Sequence, residues 1–374
     1  MQACPVGCIA LVEDAEGFLF PEIDRIKCIN CGKCRKVCPV LTATPKVEPV
    51  AGYAYRVNDD ALLSRTSSGG FFTLLAEKVL REGGVVFGAS FNKCHEVVHA
   101  FVERIEDLDA LRRSKYVQSR IGNSFEDCLK FLNEGRKVLF CGTPCQVKAL
   151  NLFIGKKRDN LITVDFVCHG VPSPGVFRKY LAEICEKYGE SLSDVKEINF
   201  REKIAGFAYG FSFTTKNKKY TENPRENMFL KGFLSDLYLR QSCHRCSAKS
   251  FTSGSDYTIC DFWGIEKVLP SFPRGGISGV TQVFVTNDKL NAFDSLNGKA
   301  VVMPFNSARI WYRPIWLRKS VPTTRRRKKF FDENKAGRTV CECVSKFGRL
   351  TLIERICMKL SLVISTIERK VGIK

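Results

Sequence analysis

The sequence predicts an α+β/α/β protein: a small cysteine-bound module, then a mixed-sheet domain, then a helical tail. Three observations predict it. Cysteines crowd the N-terminal segment, four of the 18 falling between Cys28 and Cys38. Strand-like and helix-like stretches alternate after residue 46, and the C-terminal segment reads as an amphipathic helix behind a basic run. A chain of 374 residues has room for one large domain or a few smaller ones. The expected divisions are 1–45, 46–320 and 321–374.

Residues 1–45 are short-periodic and end at Pro45, after a Thr/Pro-rich stretch. The next region opens with a helix over Gly70–Arg81, where Phe71, Leu74, Leu75, Lys78 and Val79 share one helical register. Gly83-Gly84 ends that helix, and Val85–Phe87 reads as a short buried strand. Phe125–Asn133 reads as helix, while Val138–Phe140 and Leu161–Val167 read as strands. Such alternation favours a mixed or parallel sheet. From Glu197 the pattern turns β-rich, with Phe207–Thr215 and Val280–Thr286 as the clearest segments, and no internal repeat is visible. The tail begins with the basic run Arg325–Lys329. Beyond it Leu352, Ile353, Ile356, Leu360, Val363, Ile364 and Ile367 form one apolar stripe, opposite Glu354, Arg355, Lys359 and Arg369. A stripe of this kind covers a domain core or a subunit interface; peripheral contact with an anionic membrane is the second reading.

Hydrophobic residues at 44% and charged residues at 26% are ordinary for a soluble globular protein. A secreted disulfide scaffold would be short and loop-rich, unlike this chain, so the thiols read as reduced, metal-binding and cytoplasmic. No basic segment followed by an apolar stretch marks a secretory signal, and no apolar run reaches the ~18 residues of a spanning helix. The formal net charge of +20 favours acidic partners. The basic run lacks interleaved aromatics beyond Phe330-Phe331, so no specific nucleic-acid reading is expected.

The run Cys28-x2-Cys31-x2-Cys34-x3-Cys38-Pro39 is a bacterial ferredoxin ligand signature. A cubane cluster takes one thiolate per iron, and the tight C-x2-C-x2-C spacing wraps the backbone round three of them. In two-cluster ferredoxins the cysteine before proline ligates the other cluster. Cys28, Cys31 and Cys34 therefore pair with a remote Cys-Pro, and Cys4-Pro5 supplies it. Cys38 then belongs to another cluster, whose three-cysteine run would lie upstream of Cys4 and is absent. The expectation is a two-cluster module truncated at its N-terminus, through a misplaced start or a real loss, with Cys8 as a lone substitute ligand. A zinc site built from C-x2-C pairs is the competing reading. Three cysteines at two-residue intervals followed by Cys-Pro favour iron–sulfur.

Further segments follow in order: Ser67-Ser68-Gly69-Gly70, Ser114-Lys115-Tyr116-Val117-Gln118-Ser119 and Gly142-Thr143-Pro144-Cys145-Gln146. Then come Asp165 to Pro174, Ser242-Cys243-His244-Arg245-Cys246 and Asp261-Phe262-Trp263-Gly264-Ile265. In this order they resemble the coenzyme F420 hydrogenase/dehydrogenase β-subunit family, over residues 1 to about 310. That family includes formate dehydrogenase β-subunits and plant hydroxymethyl-chlorophyll reductase. Members with a ferredoxin module occur beside bacterial polysaccharide-biosynthesis genes. The resemblance implies a bacterial-ferredoxin-like module followed by a flavin and iron–sulfur domain, in which electrons pass between 4Fe-4S clusters and FAD.

The residues themselves support particular assignments. Cys145 and Cys168 each follow an apolar strand in a Gly/Pro-rich turn, where a side chain faces a cleft. With the C-x2-C pair Cys243 and Cys246 they make four thiolates for one more cubane, giving two in all; the alternative is that Cys145 and Cys168 are ordinary buried thiols. Cys94, Cys128, Cys141, Cys185, Cys260, Cys341, Cys343 and Cys357 are left as structural, Cys260 being the nearest to an exception. Ser67, Ser68, Gly69 and Gly70 at a helix start offer N–H donors and hydroxyls to a pyrophosphate, or a simple helix cap. Lys115 neutralises a phosphate or negative charge on a reduced flavin ring, and Tyr116, Gln118 and Ser119 belong to the same candidate segment. Gly142 and Thr143 offer amides to the ring or its ribityl chain. His169 hydrogen-bonds a cluster sulfur, relays a proton beside the flavin, or is a satisfied turn histidine. Lys115 and His169 are thus the catalytic candidates. No G-x-G-x-x-G fingerprint appears, so a standard nicotinamide site is not expected.

Two functions from different classes follow. The first is an oxidoreductase in which FAD exchanges electron pairs and clusters carry single electrons. It would be fed by an acidic redox protein such as ferredoxin, or by an adjacent enzyme subunit, with the small-molecule substrate open. Bacteria with such polysaccharide-linked members generally lack F420, and FAD is not forced over FMN. The second is a non-catalytic electron-relay or scaffold subunit of a larger complex.

Overall fold

Alternating apolar residues in the central strands let a single sheet bury both faces. In the computed structural model, which describes residues 1–204, 209–273, 279–287, 293, 296, 299–306 and 315–348, eight strands form that sheet. They are β3 (Ala51–Val57), β4 (Val85–Phe91), β5 (Val97–Val102), β6 (Val138–Gly142), β7 (Leu161–Phe166), β11 (Tyr257–Asp261), β12 (Thr281–Val285) and β13 (Ala300–Phe305), in the order β13-β3-β12-β11-β7-β6-β4-β5. The inner run β4-β6-β7-β11 is parallel, and the strands flanking it pair antiparallel. Side chains of successive strand residues point to opposite faces. Val86 and Leu139 thus pack with Phe71, Leu75 and Val79 of the helix Phe71–Arg81. Val85, Phe87, Val138 and Phe140 pack with Cys128, Leu132, Val147 and Leu150, from the helices Ser124–Asn133 and Pro144–Ile154 on the other face.

The expected strands and helices between residues 70 and 286 are all present, with ends shifted by a few residues: Val85–Phe87 extends to Phe91, and Phe207–Thr215 begins at Gly210. A second, three-stranded sheet is built from β8 (Val195–Glu202), β9 (Gly210–Thr215) and β10 (Lys219–Glu222). Its core holds Phe200, Phe211 and Phe213 against Phe177 and Tyr180 of the helix Pro174–Lys187.

One expected division does not hold. The segment 321–348, read as part of a separate tail, belongs to this second core through Val321, Phe330, Val340, Val344 and Phe347. The helix Arg325–Lys335, which carries the basic run, buries Arg327, Phe330 and Asn334. The apolar stripe from Leu352 to Ile367 and Cys357 lie outside the described residues. No described helix is long and apolar enough to cross a membrane.

The N-terminal segment is a hairpin, β1 (Ile9–Glu13) with β2 (Leu19–Ile23), followed by the cysteine loop and a short helix Lys33–Lys36. Its turn is clamped onto the helix Pro174–Lys187. Gly175 N–H donates to Gly17 O at 3.2 Å and Ser173 Oγ–H donates to Glu16 O at 2.6 Å. Gly17 is required here: its φ is +81°, and a methyl group would stand 2.5 Å from Gly175 Cα. Arg327 forks onto the Glu16 carboxylate while its Nε donates to Leu239 O. The Arg240 guanidinium lies 4.0 Å from the ring centroid of Phe20, a cation–π contact.

Candidate functional site

The parallel strands aim their C-terminal ends at one edge of the sheet, where ligands of α/β folds gather. β6 ends at Gly142 and leads through Thr143 into Cys145 on the first turn of its helix. β7 ends at Phe166, two residues before Cys168, and β11 ends at Asp261, beside Trp263. The pair Cys243 and Cys246 lies at the single-turn helix Gln241–Arg245 and its end.

These four cysteines come together. Burial pushes the Cys168 thiol well above the usual range, and proximity to Cys243, Cys145 and Cys246 pushes it further. Burial likewise takes Cys243 up to about 11, with Cys145 and Cys246 adding to it. Thiols set close together raise one another in this way, since each disfavours a second negative charge beside it. Cations surround it nevertheless. Lys249 Nζ donates to Cys168 O and to Trp316 O, and Arg240 lies within electrostatic reach of Cys243 and Cys145. His244, between the paired cysteines, donates from Nδ1 to Val321 O at 2.9 Å, and its buried Nε2 has no partner among the described residues. No three described His, Cys, Asp or Glu side chains converge as ligands of a single metal ion.

The N-terminal cysteines form a second group. Cys4 Sγ and Cys8 Sγ lie 3.4 Å apart, and Cys28 neighbours Cys8. The N–H groups of Cys8 and Val6 hold the Cys4 thiol below its usual value, while the Cys4 contact, then burial, takes Cys8 up to about 11. Cys31 is exposed, and Cys28 and Cys34 are half-buried on the same loop. Asn30 and Gly32 take left-handed φ of 53° and 70°, which curls the loop around its cysteines. Cys38 is not isolated: Ser247 Oγ–H donates to Pro39 O at 2.7 Å, and Cys38 lies within electrostatic reach of Lys148. The sequence spacing left Cys38 without neighbours, because contact with residue 247 is not a local matter.

The candidate flavin residues divide between two places. Ser67 lines a cleft of about 250 Å³ with Arg56, Arg201, Asp261, Trp263 and Gly279. Arg201 organises it: Nη2 donates to Ser67 O at 2.8 Å and pairs with Asp261, while Nη1 donates to Tyr116 OH at 3.3 Å. Arg56 and Arg201 are both buried, and their Nε atoms have no hydrogen-bond partner among the described residues. Burial, then the charges of Arg201 and Arg56, lowers Lys203 to about 8 beside them. Ser68 Oγ–H donates to Val280 O, and the Gly69 N–H is already given to Thr281 Oγ1, so these groups serve the sheet. A side chain on Gly69 would collide with Tyr55 O, and Gly70, at φ +90°, caps the helix without a side-chain bond.

The other place adjoins Cys145. Thr143 Oγ1 contacts Cys145 Sγ at 3.1 Å and the Gln146 side chain returns to the Thr143 N–H, a capping box. Gln146 Nε2 donates to Ser119 Oγ at 2.8 Å, and Ser119 Oγ meets His99 Nδ1 at 3.0 Å. Gly142 packs directly against Gln146. Arg240 donates to Gln118 Oε1, tying that segment to the four-thiol group. Lys115 faces inward: Nζ donates to Ala110 O and Arg112 O, and burial, then Arg113, lowers it to about 7. His169 pairs with Asp236 at 2.6 Å and meets Trp316 edge-on, so its imidazole is held beside Cys168 by a carboxylate. Arg56, Arg201, Lys148 and His99 escaped the sequence reading. Charged and polar residues scattered singly give no periodic signal.

Residues 135–300 match the family described as the C terminus of the coenzyme F420 hydrogenase/dehydrogenase β subunit, and residues 21–42 match the 4Fe-4S binding domain. Over these residues the chain is similar to a 4Fe-4S domain and to the C-terminal domain of an F420 hydrogenase/dehydrogenase β subunit. All four inner cysteines fall within the longer match and Cys28 to Cys38 within the shorter, and the 4Fe-4S match gives the chain an iron–sulfur redox role. Among solved structures it is similar to a chain of a xenon-derivatised F420-reducing NiFe hydrogenase complex from Methanosarcina barkeri. Identity is 16%, the TM-score is 0.45, and the match covers 82% of this chain and 92% of that one. No curated protein matches.

Proposed function

We propose that this chain is a flavin-dependent iron–sulfur oxidoreductase, carrying electrons between a protein donor and a small molecule by way of two 4Fe-4S clusters and FAD. The observation that carries it is the gathering of Cys145, Cys168, Cys243 and Cys246 at the strand ends, flanked by the docked Cys38-Pro39 segment. Cys28, Cys31 and Cys34 with Cys4 would hold the outer cluster, and the inner four the second. A flavin supplies exchange between electron pairs and single electrons. The cleft beside Ser67 supports a phosphate-bearing ligand, since two arginines, Arg56 and Arg201, line it. Trp263, 58% exposed at its rim, offers a face for a flat ring. The outer loop supports docking of an acidic redox protein: exposed Ile26 and Ile29 stand among Arg25, Lys27, Lys33 and Lys36.

The deciding experiment is anaerobic purification with iron, sulfide and flavin quantification and EPR. The proposal expects about eight irons and one flavin per chain. About four irons would remove the inner cluster, and iron without flavin would favour a pure relay subunit. A colourless zinc protein would overturn both readings.

A further inference from the structure

Lys148 is a charged side chain in a place that needs a reason. It is 1% exposed, on the helix Pro144–Ile154, three residues after Cys145 and so on the same helix face. Its Nζ donates to Ser247 O at 3.3 Å. Ser247 in turn donates to Pro39 O at 2.7 Å, so the ammonium stands where the ferredoxin segment meets the loop after Cys246. Thiols of both groups face it: Cys246 and Cys145 from the inner set, and Cys38 from the outer run. No carboxylate is among the groups acting on it there. Burying an ammonium without an acidic partner is costly, and the cost is offset only if negative charge lies close by.

We infer that Lys148 is a positioning residue for electron transfer, a fixed positive charge at the junction of Cys38 with Cys145 and Cys246 that makes the inner site readier to accept an electron. The inference rests on the reading that the inner four cysteines hold a cluster. Accepting one electron adds one negative charge there and makes or breaks no bond. A cation held close in a dry environment favours that added charge. Lys249 and Arg240 also face the inner set, but neither is placed against Cys38.

The test is an EPR-monitored redox titration of the whole iron-loaded protein, with dithionite as reductant and the outer cluster as internal reference. Lys148→Met should leave iron content and the outer signal unchanged. The inner site should be about tenfold less reduced at a given potential, which is about 59 mV for a one-electron couple. Lys148→Arg should restore the wild-type value. An inner midpoint unmoved in K148M overturns the inference. Should K148M shed inner iron, Lys148→Gln takes its place: iron retained with a lowered midpoint supports the inference, and an unmoved midpoint or iron loss overturns it. Wild-type protein with no inner signal sinks the parent reading instead.

Discussion

The two cysteine groups use the same thiols in opposite surroundings. The outer group is an open loop, with Cys31 exposed and Cys4 favoured as thiolate by backbone N–H groups. In the inner group Cys145 is exposed and the other three are half-buried; burial and neighbouring thiols push Cys168 and Cys243 upward, with Lys148, Lys249 and Arg240 as nearby cations. An open loop organised by its own backbone assembles locally and remains in reach of a partner. A set assembled from three distant segments needs the whole domain in place, and in return ties those segments together. The difference separates a port from an interior site.

The largest effect should come from breaking one group while sparing the other. Cys168→Ser should lower iron from about eight to about four per chain and cost thermal stability, because a cluster bound only by the folded chain stabilises it. Cys31→Ser should lose a similar amount of iron but change the stability of the central domain by only about 0.5 kcal/mol. Iron analysis with calorimetry checks both. Equal destabilisation by the two variants would erase the distinction between port and interior.

Attachment of the port comes next. Arg327, buried against Glu16 and Leu239 O, pins the hairpin to the second core. Arg327→Gln leaves the Glu16 carboxylate without its fork and should destabilise by about 3 kcal/mol. Limited proteolysis should then cut the N-terminal segment first. Unchanged cleavage would mean the Gly17–Gly175 contact holds the module alone.

What could be read in advance follows the same line between local and distant. The helix Phe71–Arg81 was legible because its apolar period lies within one window, and the outer cysteine run because its spacing is its chemistry. The inner thiols were legible as residues, yet their convergence depends on strand order. Arg201 was not legible at all: its partners Ser67 and Asp261 are 134 and 60 positions away. Segment 321–348 was misread because five consecutive basic residues outweighed Phe330, Val340 and Val344, which alone fix the packing. Ser68 and Gly69 looked like phosphate donors in sequence, and only the sheet register shows where their bonds go.

A pH effect should belong to the interior. His99 is buried between Ser119 Oγ and Cys141 O, and burial lowers it to about 4. The unfolded chain holds that proton up to about pH 6.5, so between pH 6.5 and 4 unfolding takes up a proton. Stability contributed by neutral His99 is therefore full above that window and is lost as pH falls through it, by roughly 3 kcal/mol at most. Urea titrations across the window should show a shallower slope for His99→Gln than for wild type. Parallel slopes would place the acid sensitivity elsewhere.

The smallest effect isolates burial from charge. Arg178 pairs with Glu13 at 2.5 Å, on the same hairpin that Arg327 grips, but side-chain exposures are 43% and 40%. Both pairs join an arginine of the second core to a glutamate of the module, so charge alone would make them equivalent. Water already solvates the Arg178 pair, and salt screens it. Arg178→Ala should therefore cost about 0.5 kcal/mol, falling toward zero at high salt, against the several-fold larger loss at Arg327. If the two substitutions destabilise alike in chemical denaturation, the hairpin is held by net attraction between surfaces. The buried fork would then have no special part in docking the port.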